Sequence, residues 1–273
     1  MERLQVAIEK ARTQRDRGDT PKTQAPATTP GTPLETEAAW LALPEIKLRR
    51  WFLHRRRVIA LQSGPAAAPY DILRTRVAQQ AQTNDWRRIA VVSPHSGTGK
   101  STTTANLAFG LARQQGIHTI VIDADLRRSG LGRLLGQKGD TSMSDVLQGL
   151  VPFPEVARRY GSNLIFGLGF GTARNPSEIL QSTRAKEVLS EIETTYTPDI
   201  MLFDMPPLSA SDDNLGFLTQ VDAALIVVEA GRTGMKQFDV AERQVAELTN
   251  VMGVVLNKCR YMSTAYGYEE GYY

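Results

Sequence analysis

Four short stretches of this 273-residue chain carry residues whose types and spacing can do chemistry. The first is Ser93-Pro94-His95-Ser96-Gly97-Thr98-Gly99-Lys100-Ser101-Thr102, which joins an apolar β-branched run to a helical pattern. That setting suits a loop that cradles phosphate. Glycines let the backbone approach phosphate oxygens, and the start of a helix adds unpaired N–H groups. Gly97, Thr98 and Gly99 would line the loop, with Lys100 reaching the outer phosphates, Ser101 offering its hydroxyl to Mg2+ and Thr102 lying near the α-phosphate. The full Gly-x-x-x-x-Gly-Lys-Ser/Thr pattern is not met, because Pro94 holds its first glycine position. The second stretch, Val121 to Arg127, sets Asp123 and Asp125 two residues apart just past a strand, where open α/β sheets bind ligands. Such carboxylates can hold Mg2+ or its waters, or accept a proton from a nucleophile. The third, Met201 to Pro207, is an apolar strand ending in Asp204 ahead of two prolines. The fourth is the C-terminus, where Tyr261, Tyr266, Tyr268, Tyr272 and Tyr273 are five of the eight tyrosines in the chain. Glycines and glutamates separate them, so they form no stripe that would pack in a core. They read either as a sticky low-complexity tail or as phosphoacceptor hydroxyls.

The elements that must position these groups follow from periodicity. Ile89–Val92, Thr119–Ile122, Leu164–Phe166, Ile200–Phe203, Ala223–Val228 and Val251–Leu256 are short apolar runs, predicted as buried strands. Helices are predicted over Tyr70–Gln82, Ser101–Gln115, Thr183–Thr195 and Val240–Leu248. Strands that are apolar throughout and alternate with helices indicate a mainly parallel sheet covered on both faces, an α/β fold. Ahead of it, Leu4, Ala7, Ile8 and Ala11 share a helical face within an amphipathic segment over 1–17. Residues 18–37 are rich in Pro, Thr and Ala without periodicity and read as a disordered linker. The expected organisation is an amphipathic helix (1–17), a linker and basic segment (18–69), an α/β domain (70–260) and a tyrosine-rich tail (261–273).

Composition narrows the class. The chain is 41% hydrophobic and 22% charged, ordinary for a globular protein. No apolar run approaches the roughly 20 residues needed to span a bilayer, and the N-terminus lacks the apolar core of a signal peptide. One cysteine, Cys259, excludes an internal disulfide framework, and scattered His54, His95 and His118 argue against a histidine-rich metal site. These features read as cytoplasmic. The net charge of +3 is uneven: residues 1–69 carry 12 Lys/Arg against 7 Asp/Glu, a net of +5, and residues 70–273 carry 20 against 22, a net of −2. Lys47, Arg49, Arg50, Arg55, Arg56 and Arg57 interleave with Trp51, Phe52 and Leu53. Such a cluster is either a solvated linker beside an acidic partner or a contact for an anionic membrane surface, and no specific nucleic acid is expected.

In this combination and order, residues 70 to the end resemble the bacterial tyrosine kinases of capsule and exopolysaccharide biosynthesis, a group within the MinD/ParA-like P-loop ATPases. Gly97–Thr102 is similar to that family's Walker A motif, Asp123–Arg127 to its Walker A′, and Asp204–Pro207 to its Walker B. The residues after 260 look like its tyrosine cluster. Asn175–Leu180 resembles its segment between A′ and B, and Asp213 resembles an aspartate the family carries after B. The resemblance implies a P-loop NTPase-like fold and an ATP- and Mg2+-dependent protein-tyrosine autokinase. Lys100, Asp123, Asp125 and Asp204 would act in catalysis, with Ser101, Asp125 and Asp204 on Mg2+. Gly97 to Thr102 would bind nucleotide, and Asn257 would contact the adenine. It also implies self-association and a separate membrane activator of the polysaccharide co-polymerase type, which would hold the chain at the inner face of the plasma membrane. One departure concerns assembly: where the family commonly carries Glu-x-x-Arg-x-x-Arg for ring formation, this chain has Ala68, Asp71 and Arg74. The rival readings are a MinD/ParA-like ATPase switch and an assembly factor without kinase activity. Such switches generally carry lysine where this chain has His95, and they need no tyrosine tail.

Overall fold

β-Branched and aliphatic runs with no interrupting charge can be buried on both faces, and the computed structural model places six of them side by side. It describes residues 32–210 and 212–259. The elements in chain order are α1 (Pro33–Ala42), α2 (Arg50–Arg55), α3 (Ala68–Asn84), β1 (Arg88–Val92), α4 (Lys100–Ala112), β2 (Thr119–Asp123), α5 (Gly130–Leu134), α6 (Met143–Leu147), β3 (Ala157–Tyr160) and β4 (Leu164–Gly167). They continue with α7 (Pro176–Gln181), α8 (Thr183–Tyr196), β5 (Ile200–Asp204), α9 (Asp213–Phe217), β6 (Ala223–Glu229), α10 (Met235–Ala246) and β7 (Asn250–Asn257). The sheet order is β3-β4-β2-β5-β1-β6-β7. All neighbours are parallel except the edge pair β3–β4.

Alternation along each strand divides the core between the two faces of the sheet. On β2, Ile120 and Ile122 face a cluster with Phe203, Leu180, Leu189 and Trp40, and Val121 faces another with Leu107, Phe109, Leu202 and Leu53. Helix α4, which must hold the phosphate loop, is buried along nearly its whole length. Among the described residues, no helix is long and apolar enough to cross a membrane.

Two expectations change. β3 escapes sequence reading because its residues, Ala157-Arg158-Arg159-Tyr160, are mostly polar, as befits a short edge strand. The segment 18–69 is not linker throughout, since from residue 32 on it is packed domain. Thr32 and Glu35 close a capping box at the start of α1. Trp40, Leu43, Ile46, Leu53, Val58 and Ala60 are buried. The Trp40 indole donates to the Tyr196 carbonyl at 2.8 Å. Pro44 and Ile46 pair with Arg159 and so cover the outer edge of β3. These anchors follow no single period, which is why the segment reads as irregular. The predicted helix 1–17, the early linker and the tyrosine tail lie outside the described residues.

Candidate nucleotide and phosphoryl-transfer site

The phosphate loop is a conformational problem that glycine solves. Gly97 (φ +84°) and Gly99 (φ +92°) both adopt the left-handed region, and a Cβ on Gly99 would lie 2.2 Å from the Asn257 amide nitrogen. Gly99 is the N-cap of α4 and supplies no side-chain cap. The first N–H groups of a long, buried helix therefore face the loop unpaired, which is an anion site. The structure begins the helix at Lys100, one residue before the expected Ser101. Ser101 and Thr102 stand half-buried on its first turn.

Register brings the carboxylates together. β2 and β5 pair so that Asp123 lies opposite Asp204, both at the carboxyl ends of their strands. Lys100 Nζ donates to Asp204 Oδ1 at 2.6 Å, and Thr104 Oγ1 lies 3.3 Å from the same oxygen. Asp123 Oδ2 accepts the Leu131 N–H at 3.0 Å. The second oxygens, Asp204 Oδ2 and Asp123 Oδ1, are buried without a hydrogen-bond partner among the described residues, as is Thr98 Oγ1. Burial, reinforced by the neighbouring Asp204, pushes the Asp123 carboxyl well above the usual carboxylate range. Burial also raises Asp125, which accepts the Arg128 N–H at 3.1 Å. Lys100, Asp123, Asp125 and Asp204 thus meet around one end of the sheet.

These unsatisfied oxygens fit a nucleotide–Mg2+ site. A buried acceptor with no partner is costly unless something bound supplies one. Among the described residues, no group of three or more His, Cys, Asp or Glu side chains could by itself hold a metal ion. A Mg2+ ion here would take few protein oxygens and fill its shell with phosphate and water, as this ion commonly does.

Two other predicted features converge beside the carboxylates. Arg127 grips Asp213 through a two-pronged contact of 2.7 and 3.0 Å, and this bond raises the guanidinium pKa. Ser177, at the start of α7, donates to Asp212 at 2.6 Å and to Asp213. The stretch 175–180, the Asp-x-Asp-x-Arg element and Asp213 therefore form one linked rim.

Beside the loop, Lys258, Glu229 and Thr233, which sequence reasoning missed, join His95 and Asn257. Lys258 Nζ donates to the Gly97 carbonyl at 2.5 Å and pairs with Glu229 at 3.1 Å. The Lys258 contact holds the Glu229 carboxyl below its usual range. His95 Nε2 lies 2.9 Å from Thr233 Oγ1. Asn257 is the last residue of β7 and donates to the Thr98 carbonyl at 2.8 Å, so its side chain braces the loop backbone. The only sequence signal for Lys258 was its adjacency to Asn257. The five tail tyrosines lie outside the described residues.

Known proteins place this geometry. The chain is 28% identical over 219 residues to the tyrosine-protein kinase YwqD of Bacillus subtilis, covering 78% of this chain and 91% of that one. It is 31% identical over 183 residues to the putative tyrosine-protein kinase AmsA of Erwinia amylovora, covering 66% of this chain but 25% of that longer protein. The solved BceF tyrosine kinase domain superposes with a TM-score of 0.61 at 27% identity, covering 70% of this chain and 76% of that one. The ParA family model, described as NUBPL iron-transfer P-loop NTPase, matches residues 86–272, which run from the first strand of the sheet past the last and take in the phosphate loop and all four clustered site residues. The chain belongs to this family of P-loop NTPases, and the three relatives named above bear tyrosine-kinase names.

Proposed function

We propose that the chain is an ATP-dependent protein-tyrosine autokinase whose acceptors are Tyr261, Tyr266, Tyr268, Tyr272 and Tyr273, acting in the synthesis and export of exopolysaccharide or capsule. The observation that carries the reading is the Asp123–Asp204 pair beside Lys100, with one unpartnered oxygen on each carboxylate. Gly97 to Thr102 and the start of α4 bind the phosphates, and Lys100 leaves Asp204 to meet them. Asp204, Asp125 and Ser101 would hold Mg2+, which when bound neutralises charge on the phosphates. Asp123, ionised when Mg2+ and Lys100 lie beside it, would take the proton of the incoming phenol on its unpartnered Oδ1. Positioning and charge neutralisation are what phosphoryl transfer chiefly requires of a protein.

The tail of one copy reaches the site of a neighbour, so self-association belongs to this reading. Asp71, at the place of one arginine in the family's assembly motif, is engaged within the chain by Arg113 and Arg74. A membrane polysaccharide co-polymerase-type protein acts as activator. The ParA-type ATPase switch is the second reading, favoured by the family match and opposed by His95 in the place of the switch lysine.

Phosphotyrosine mass spectrometry of the purified chain with ATP and Mg2+, wild type beside Lys100→Met, tests the proposal. Modification concentrated on the five tail tyrosines and lost in the variant is expected. ATP hydrolysis without phosphotyrosine would turn the assignment to the switch, and modification mainly at Tyr70, Tyr160 or Tyr196 would refute the tail as the acceptor.

A further inference from the structure

Between Glu45 and Asp71 the chain carries no acidic residue, and Lys47, Arg49, Arg50, Arg55, Arg56 and Arg57 crowd into this stretch. All six are exposed. Among the described residues none of them makes an ion pair. Trp51 stands among them, 64% exposed, whereas Trp40 in the same N-terminal segment is 2% exposed. On α2, Trp51, His54 and Arg55 are spaced three and four apart and share a helix face. The inward positions are spoken for. Leu53 is buried, Phe52 lies against Gly136, and the Arg56 guanidinium sits 5.1 Å from the centre of the Phe52 ring.

The ridge is also preformed. Buried Asn106, in the middle of α4, accepts the N–H groups of Ile59 and Ala60 at 2.7 and 2.9 Å and donates to the Arg57 carbonyl at 2.9 Å. Gln137 donates to the Lys47 carbonyl at 2.9 Å. The cations therefore ride on backbone fastened to the domain at both ends of the cluster.

We propose that this ridge is a docking surface for an anionic phospholipid membrane, with Lys47, Arg50 and Arg55 on headgroup phosphates and the Trp51 indole in the interface. Clusters of four to eight basic residues are drawn to anionic bilayers, and tryptophan favours the boundary between headgroups and chains. A nucleic acid fits less well. Residues 70–273 carry a net charge of −2, which a long polyanion running beyond the ridge would meet, whereas a bilayer touches one face only. A single exposed tryptophan also offers no row of rings for successive bases. The contact would give the chain a membrane address of its own, separate from any protein activator, and it stands whether or not the site transfers phosphate.

The test is flotation of the full chain with vesicles of phosphatidylcholine alone, or with about 30% phosphatidylserine, across a salt series. Binding is expected to the anionic vesicles alone, to fall steeply with salt, and to shift tryptophan emission to the blue. The triple variant Lys47→Glu/Arg50→Glu/Arg55→Glu should bind at least ~100-fold more weakly while keeping wild-type ATP affinity. Trp51→Ser should lose the blue shift and bind ~10-fold more weakly. Equal binding to neutral vesicles, undiminished binding of the triple variant, or tighter capture by single-stranded DNA than by anionic vesicles at equal salt would overturn the proposal. Should the triple variant lose ATP affinity through misfolding, the Trp51→Ser variant and the wild-type salt series decide.

Discussion

Two lysines are caught by acidic partners around the same glycine loop, and they differ in almost every other respect. Lys100 and Asp204 meet at 2.6 Å with side chains 7% and 0% exposed. Lys258 and Glu229 meet at 3.1 Å with side chains 44% and 14% exposed. The inner pair leaves Asp204 Oδ2 buried and unsatisfied, with the equally unsatisfied Asp123 Oδ1 on the neighbouring strand. The outer pair has no such deficit, and its lysine also donates to the Gly97 carbonyl. A buried pair whose carboxylate oxygen lacks a donor is poised to take a ligand that supplies one, because an unmet acceptor costs more than a typical hydrogen bond gains. A half-exposed pair gains little in itself and serves to hold backbone in place. The same ion-pair chemistry thus yields an exchangeable contact in the inner pair and a brace in the outer one.

The comparison breaks most sharply at the carboxylates. Asp204→Asn should lower tail phosphorylation at least ~100-fold, whereas Glu229→Gln should change it by less than about threefold. Turnover measured beside melting curves checks this, and equal losses for the two variants would erase the distinction. Nucleotide affinity comes next. Lys100→Met removes a charge-assisted phosphate contact and should weaken ATP binding ~10- to 100-fold in titration calorimetry. Lys258→Met loosens only the loop and should weaken it ~3-fold, an effect that high salt should reproduce in the wild type.

A third, smaller effect appears in stability. Asp123 has its pKa raised in the fold chiefly by burial, so the folded state holds this proton more tightly than the unfolded chain does. Its favourable contribution is complete below the unfolded carboxylate pKa and is lost as pH rises through the higher folded value. The nucleotide-free protein should therefore resist urea better on mild acidification. Asp123→Asn should raise the unfolding midpoint at neutral pH and flatten that dependence while abolishing phosphoryl transfer. If the variant were instead less stable at neutral pH, the buried carboxylate would have to be charged and satisfied. The N-terminal segment supplies a last check. Removing residues 1–31 should leave ATP binding unchanged, whereas removing 1–60 strips Trp40, Leu53 and Val58 from the core and should unfold the domain. Circular dichroism melts of the two truncations separate these outcomes.

The amino-acid sequence by itself determined the six apolar strands, the alternation that makes them a parallel sheet, and the local chemistry of Gly97 to Thr102, Asp123, Asp125 and Asp204. Each of these is written in contiguous residues, where apolar runs report burial and a glycine-lysine-serine turn between strand and helix reports phosphate binding. Only the tertiary structure decided what depends on register and distant approach. The facing of Asp123 and Asp204 rests on β2 lying beside β5, strands 77 residues apart in the chain (Asp123 to Ile200). The brace of Asn257 and Lys258 on the loop spans roughly 160 residues. Residues 32–69 read only as the end of a linker and a basic segment because their anchors, Trp40, Leu43, Ile46, Leu53 and Val58, follow no helical or strand period. Each finds its own pocket on a surface that other elements make, so their burial becomes legible only once those elements are assembled.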